Sequence, residues 1–275
     1  MGVIDQAQGL DQHDHLCWAF DDAENMVAAV QVFQLEGVQA RLRVGYFGRV
    51  GPVVTAPAAE WARREGRAGA VFSLDLAGTY PPDGVVFPQR QVEVFRHATE
   101  LALADGFAGL RVAVDATDLV RTPEQLDAFV RYEHVIDRYM MDQPFSGLCA
   151  IDRGRLGDAA TDLACVHPIC NDHGSSFGVF ASAGGGIGLR GELDGFEHER
   201  FDRVLDRVTA TIANRDLIID ATDLDFVDHH ALLTIRDHAH DRAGSATILS
   251  RRSSGLCRLV EILDLGPDVV VETVA

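Results

Sequence analysis

The 275-residue chain contains no lysine; all 24 of its basic residues are arginine. That absence removes whole classes of chemistry. No Schiff base can form, and no phosphate-binding loop can offer a lysine to a nucleotide. Long apolar runs are missing too, and none approaches the length that spans a bilayer. The first residues have neither a basic start nor an apolar core, so no secretory signal is expected and a cytoplasmic location is. The chain has five cysteines. In a cytoplasmic chain that argues against disulfides, and the odd count leaves at least one thiol free. Positive charge is short in both halves: 14 basic against 25 acidic residues before position 175, and 10 against 17 after it, for a net charge of −18. Nucleic acid is therefore not an expected partner, and without a spanning segment neither is a membrane. A basic surface on another protein suits this charge better.

What remains is an ordinary globular composition, 47% hydrophobic and 24% charged, at a length that accommodates two domains. Apolar strands alternate with helical stretches along the first part: Leu16 to Phe20, Leu42 to Phe47, Ala70 to Leu74, Leu110 to Val114 and Phe145 to Ile151 are strand-like. Asp22 is placed to cap a helix, Pro57 to open one, and Thr122-Pro123 with Gln125 to form a capping-box start. This order predicts an α/β fold with a parallel sheet covered by helices. Residues 1 to 12 read as a loose tail. A boundary falls near Asp172 to Ser176, dividing the chain into 1–175 and 176–275. The second part opens with a strand and an Ala-Gly-Gly-Gly hairpin turn.

In the second part, Leu217-Ile218-Ile219 reads as a buried strand, followed by a short loop ending at Asp228 and then a helix. Asp228 can cap that helix, and the exposed N-terminus is a docking point for an acidic group or a partner. The ordered pieces Gly-Glu-Leu-Asp194, Leu-Ile-Ile-Asp220, Phe-Val-Asp228 and the late helix Leu256 to Leu265 resemble the STAS domain of bacterial anti-sigma-factor antagonists. The resemblance covers roughly residues 176 to 275. It implies a regulatory partner, an anti-sigma factor, bound through Asp228, His229, His230, Ala231 and Thr234. Where that family carries the phosphorylated serine, this chain has His229, His230 and Ala231, so the usual switch is missing. An alternative use of such a domain is homo-oligomerisation.

The first part carries a second resemblance. His13-Asp-His-Leu-Cys-Trp-Ala-Phe-Asp-Asp22, Arg-Val-Ala-Val-Asp115-Ala-Thr-Asp-Leu119, Tyr132-Glu-His-Val-Ile-Asp-Arg-Tyr139, Gly-Leu-Cys149-Ala-Ile-Asp-Arg-Gly-Arg-Leu156 and Ala164-Cys-Val-His-Pro168 together resemble the MEDS family over roughly residues 10 to 175. That family is named for a sensory domain in regulators of one-carbon metabolism. The resemblance implies a RecA- or KaiC-like fold without a working nucleotide site. The turn after Phe47, Gly-Arg-Val-Gly-Pro, agrees with that expectation: it lacks Gly-Lys-Ser/Thr, and ATP hydrolysis is not expected. Arg49 in that turn reads as an exposed loop residue.

Two constellations carry the candidate chemistry. His13, His15 and Cys17 alternate along a strand and would share one face. Cys165, His167, Cys170 and His173 offer sulfur and imidazole donors suited to zinc or haem iron, although their spacing matches no standard zinc module. Packed cysteines and hydrogen-bonded histidines are the ordinary alternative to a metal or haem. Cys17 and Cys149 lie on strands that can be neighbours, a thiol-sensor arrangement if they meet. Glu133 and Asp115 complete the expected sensory set of His15, Cys17, Asp115, Glu133 and Cys149. The expectation is a regulator that senses a small ligand or a redox state in its first domain and signals through the second, and not an enzyme. A metal- or haem-dependent sensor whose second domain assembles oligomers is the alternative.

Overall fold

The computed structural model describes residues 2–81, 84–171, 175–252 and 254–274. The chain divides into two compact units, residues 1–173 and 174–275. Residues 172–174, where the boundary was expected to begin, lie outside the described residues.

In the first unit the elements run β1 (His15–Phe20), α1 (Ala23–Gln39), β2 (Arg43–Phe47), α2 (Gly51–Arg64), β3 (Val71–Leu74), α3 (Pro88–Ala104), β4 (Leu110–Asp115), α4 (Pro123–Asp142), β5 (Phe145–Asp152), α5 (Arg153–Leu156), α6 (Asp158–Cys165) and β6 (Ile169–Cys170). They form a six-stranded sheet ordered β3-β2-β4-β5-β1-β6, with every pairing parallel. Helices α1 and α2 pack together, as do α3 and α4. Because successive strand residues face opposite sides, Leu16, Trp18 and Phe20 join α1 in one core, while His15 and Cys17 turn toward α4. This is the expected helix-covered parallel sheet.

Two details depart from the sequence reading. Helix α2 begins six residues before Pro57, at Gly51, and Pro57 sits inside it. A proline there cannot donate to the carbonyl of Val53. That carbonyl instead accepts Gln31 Nε2 from α1 at 3.1 Å. The N-terminal residues are also tied down. Arg111, buried on β4, donates to the carbonyls of Leu10 and Asp11 at 2.7 and 3.1 Å and to Ser146 Oγ at 3.0 Å. Val3 bridges to Cys170, and Ile4 N–H donates to the carbonyl of the same residue. A charge buried on an interior strand ties the terminal segment to the sheet, which no tail-like composition announces.

The second unit comprises β7 (Phe177–Ser182), β8 (Gly186–Leu193), α7 (His198–Thr209), β9 (Leu217–Val227), α8 (His229–Asp241), β10 (Ala246–Arg251), α9 (Leu256–Ile262) and β11 (Val269–Val274). Its sheet runs β11-β10-β9-β8-β7; β7 and β8 pair antiparallel, the others parallel. The loop expected before Asp228 is absent. Strand β9 continues to Val227, pairing with β8 through register shifts beside Arg190 and Gly191. Continued pairing satisfies the backbone of this polar segment, which composition alone made look like a turn.

Candidate metal-binding and sensory site

The strongest concentration of polar chemistry in the first unit lies between the sheet and α4. His15 starts β1 and Glu133 and Asp137 sit one turn apart on α4, so both carboxylates face the strand. His15 Nε2 lies 2.9 Å from Glu133 Oε2 and its Nδ1 lies 3.1 Å from Asp137 Oδ1. His167, just beyond α6, brings its Nε2 to 3.5 Å from the same Glu133 oxygen, while its Nδ1 is 2.8 Å from the carbonyl of Leu163. A ring nitrogen facing a carbonyl donates to it, so Nδ1 of His167 is held by Leu163 and Nε2 is the nitrogen turned toward Glu133. The two imidazole centroids are 4.2 Å apart. His15, Glu133 and His167 are all at least 97% buried. Beside the cluster, Met140 of α4 packs over Gly147 of β5, its Cε filling the space where a Cβ would sit at 2.7 Å.

Burial shapes the electrostatics. It would lower the His15 pKa, but hydrogen bonds to Asp137 and Glu133 and their charges outweigh it and raise it to about 9. Burial would raise Glu133; the charge of His167 and the hydrogen bond from His15 outweigh it and hold the carboxyl at about 2. Cys149 pairs in register with Cys17. Its thiol is pushed well above the ordinary range, first by burial and then by the charge of Glu133. A protonated buried thiol is a poor nucleophile, so the arrangement does not favour the redox reading of Cys17 and Cys149.

A cavity of about 20 Å³ adjoins this cluster, lined by His15, Glu133, Cys149, Tyr80, Tyr132 and Phe95 among others. That is room for about a single water. It is far too small for a haem, which removes that expectation for this pocket. A roomier opening of about 340 Å³ lies beyond the carboxyl ends of the strands, lined by Arg49, Asp75, Asp118 and Arg121. There Arg49 is the exposed loop residue expected, and its guanidinium pairs with Asp118 at 3.0 Å.

The expected residues sort clearly. His15, Cys17, Glu133 and Cys149 lie on the α4 side of the sheet. Asp115 does not: by strand alternation it follows Arg111 and Ala113 onto the opposite face and accepts Thr117 N–H at 3.2 Å. Of the six residues expected around a metal, His15 and His167 converge, joined by Glu133. His13 lies before the strand, is exposed, and bonds through Nδ1 to the carbonyl of Met140 at 2.8 Å. Cys165 ends α6 and Cys170 pairs with Cys17 on the edge strand, and neither joins that convergence. His173 lies outside the described residues. Asp137 escaped notice although its four-residue spacing from Glu133 was readable. Tyr80 and Tyr132, whose hydroxyls are 3.5 Å apart, carried no signal in the sequence.

Residues 14–168 match the family model described as MEDS, the MEthanogen/methylotroph, DcmR Sensory domain. The chain belongs to the MEDS family. Its role is accordingly one of sensing or regulation, and His15, Glu133 and His167 all fall within the matched MEDS span. No curated protein matches the chain. Among the described residues, no helix is long and apolar enough to cross a membrane.

Beyond the MEDS span, the second unit presents the start of α8. Asp228 is the N-cap, its Oδ1 accepting Ala231 N–H at 3.0 Å. His229 and His230 are exposed, but Ala231 and Thr234, expected on a docking face, are buried. Thr234 turns its hydroxyl back to the carbonyl of His230 at 3.0 Å. Helical periodicity explains the division: residues two and five positions after His229 point to the core side of α8. An exposed apolar contact does stand nearby. Phe196 is 99% exposed and follows Gly195, which abuts Asp228.

Proposed function

We propose that the chain is a cytoplasmic two-part regulator in which the MEDS domain binds a divalent metal, or a small ligand through that metal, and the second unit docks a regulatory protein. The observation that carries the sensory half is the aim of two imidazoles at one buried carboxylate, each with its far nitrogen already held. Donor separations of 2.9 and 3.5 Å suit a first-row ion bonded at about 2.0–2.1 Å to each donor. Asp137 and the Leu163 carbonyl would then serve as the outer partners that fix ring orientation in metal sites. Two histidines and one carboxylate leave positions open for a water or ligand, and the adjoining cavity supplies the space. Binding, and not catalysis, is the reading. The β1–α1 turn is Asp21-Asp22 and the β2–α2 turn is Gly-Arg-Val, so neither offers a lysine to phosphate.

For the second unit we adopt the STAS reading, with an anti-sigma factor or a related regulatory protein as partner. Support comes from the hairpin followed by alternating helices and parallel strands, and from the exposed Phe196 beside the His229–His230 tip. The signal would be a changed contact surface, without serine phosphorylation at that tip.

Metal analysis of purified protein tests the first half. Loss of one equivalent of zinc, iron or another first-row ion per chain on Glu133→Gln substitution is the expected result. Full-strength binding in that variant would refute the site. Pull-down with purified anti-sigma factors tests the second half. Capture that persists after Phe196→Ala and His230→Ala are combined would place the docking surface elsewhere.

A further inference from the structure

The second unit carries another set of donors. Asp228, His229 and His230 each bring a ligating atom within 4.8 Å of the others. The His229 and His230 rings are 4.0 Å apart, and the ring of His198, the first residue of α7, lies 5.4 Å from His230. His198 Nδ1 is 3.5 Å from Thr234 Oγ1. Asp228 uses Oδ1 as the helix cap. Its Oδ2 lies beside Gly195, where a Cβ would make ordinary contact at 3.6 Å, so the glycine adds no side chain against that oxygen.

We propose that Asp228, His229 and His230 form a surface site for one divalent transition-metal ion of the zinc, cobalt or nickel class, with water filling the remaining coordination positions. The donor set decides the class. Imidazoles with a single carboxylate suit these borderline ions, whereas calcium and magnesium require mainly oxygen. The Asp228 carboxylate offsets the positive end of α8 for the arriving cation. Since His229 and His230 are exposed, their rings can turn onto a common ion without opening the core. The consequence is a docking tip whose charge follows metal supply. This proposal does not rest on the buried site of the MEDS domain, nor on the identity of the partner.

Calorimetric titration of the full chain with zinc and with nickel tests it. The combined variant His229→Ala/His230→Ala is expected to lose one equivalent of metal, or to weaken that equivalent by roughly tenfold or more, with unchanged unfolding. Asp228→Asn, which keeps a capping side chain, is expected to weaken the same equivalent less. A control, His97→Ala/His240→Ala, removes two other exposed histidines and should leave the titration unchanged. Any equivalent that survives in His229→Ala/His230→Ala but disappears in Glu133→Gln belongs to the buried site, so the two sites fail separately. An isotherm for His229→Ala/His230→Ala identical to that of the unsubstituted chain overturns the proposal. So does an equal loss in the control.

Discussion

The two His–carboxylate clusters use the same parts in opposite surroundings. Around Glu133 every member is buried and each imidazole is held at its second nitrogen, by Asp137 or by the Leu163 carbonyl. Around Asp228 two imidazoles are exposed, and their rings lie 4.0 Å apart, tilted by 39°. Burial is what separates them. In a low-dielectric interior an unpaired charge is costly and a paired one is held firmly, so the first cluster is both a structural keystone and a poised site. At the surface water solvates either state, and the second cluster is free to respond without consequence for the fold.

The largest expected effect breaks the buried cluster. Glu133→Ala leaves two imidazoles facing each other without their shared acceptor, and should cost about 3–5 kcal/mol in urea unfolding. His229→Ala should fall within about 0.5 kcal/mol of the parent. Similar losses for both would erase the distinction drawn from burial.

Next in size is the pH dependence of metal-free, chelator-treated protein. His15 is raised from 6.5 to about 9, so its contribution is fully present below pH 6.5 and is lost as pH climbs through 9. Glu133 is lowered from 4.5 to about 2, so its contribution is present above pH 4.5 and is lost as pH falls through 2. Thermal unfolding should therefore be most resistant between about pH 4.5 and 6.5 as far as this network is concerned, declining toward 9. Glu133→Gln should flatten the alkaline side; an unaltered decline in that variant would mean that other groups cause it.

A subtler change sharpens the comparison. Asp137→Asn keeps the shape of the His15 partner but removes its charge, and should weaken zinc at the buried site by about 10–100-fold while the surface equivalent is unaffected. Equal weakening at both would contradict the assignment of Asp137 to His15.

The two clusters also differ in how far they could be read in advance. Sheet type, most helix starts and the His15 and His167 donors were legible, because strand alternation and capping residues act locally. What stayed hidden depends on long-range register. Cys165 and Cys170 share a motif with His167 yet end on a different helix and strand. The repeated Asp-Ala-Thr-Asp-Leu shows why. At Asp115 it leaves a strand for a short turn, and at Asp220 it continues inside β9, although each Asp accepts the N–H two residues on, at 3.2 and 3.0 Å. Local hydrogen bonding is the same in both; the neighbouring strand decides the outcome. Likewise the burial of Thr234 follows from how α8 packs, which a motif comparison with STAS domains does not contain.

The smallest predicted effect concerns Asp228 itself. Its carboxylate satisfies one of the first free N–H groups of α8 and meets the helix's positive end, so Asp228→Ala should cost about 1 kcal/mol. Asp228→Asn retains the acceptor and should cost less. The pair separates two roles that coincide in one side chain. If capping were its whole contribution, Asn would restore both stability and zinc binding at the α8 tip. If the charge also serves a cation there, Asn restores the fold while the surface equivalent of zinc stays weakened. Unfolding and zinc titration on the same two variants therefore distinguish a helix cap from a ligand, at a position where the buried cluster's logic of mutual dependence does not apply.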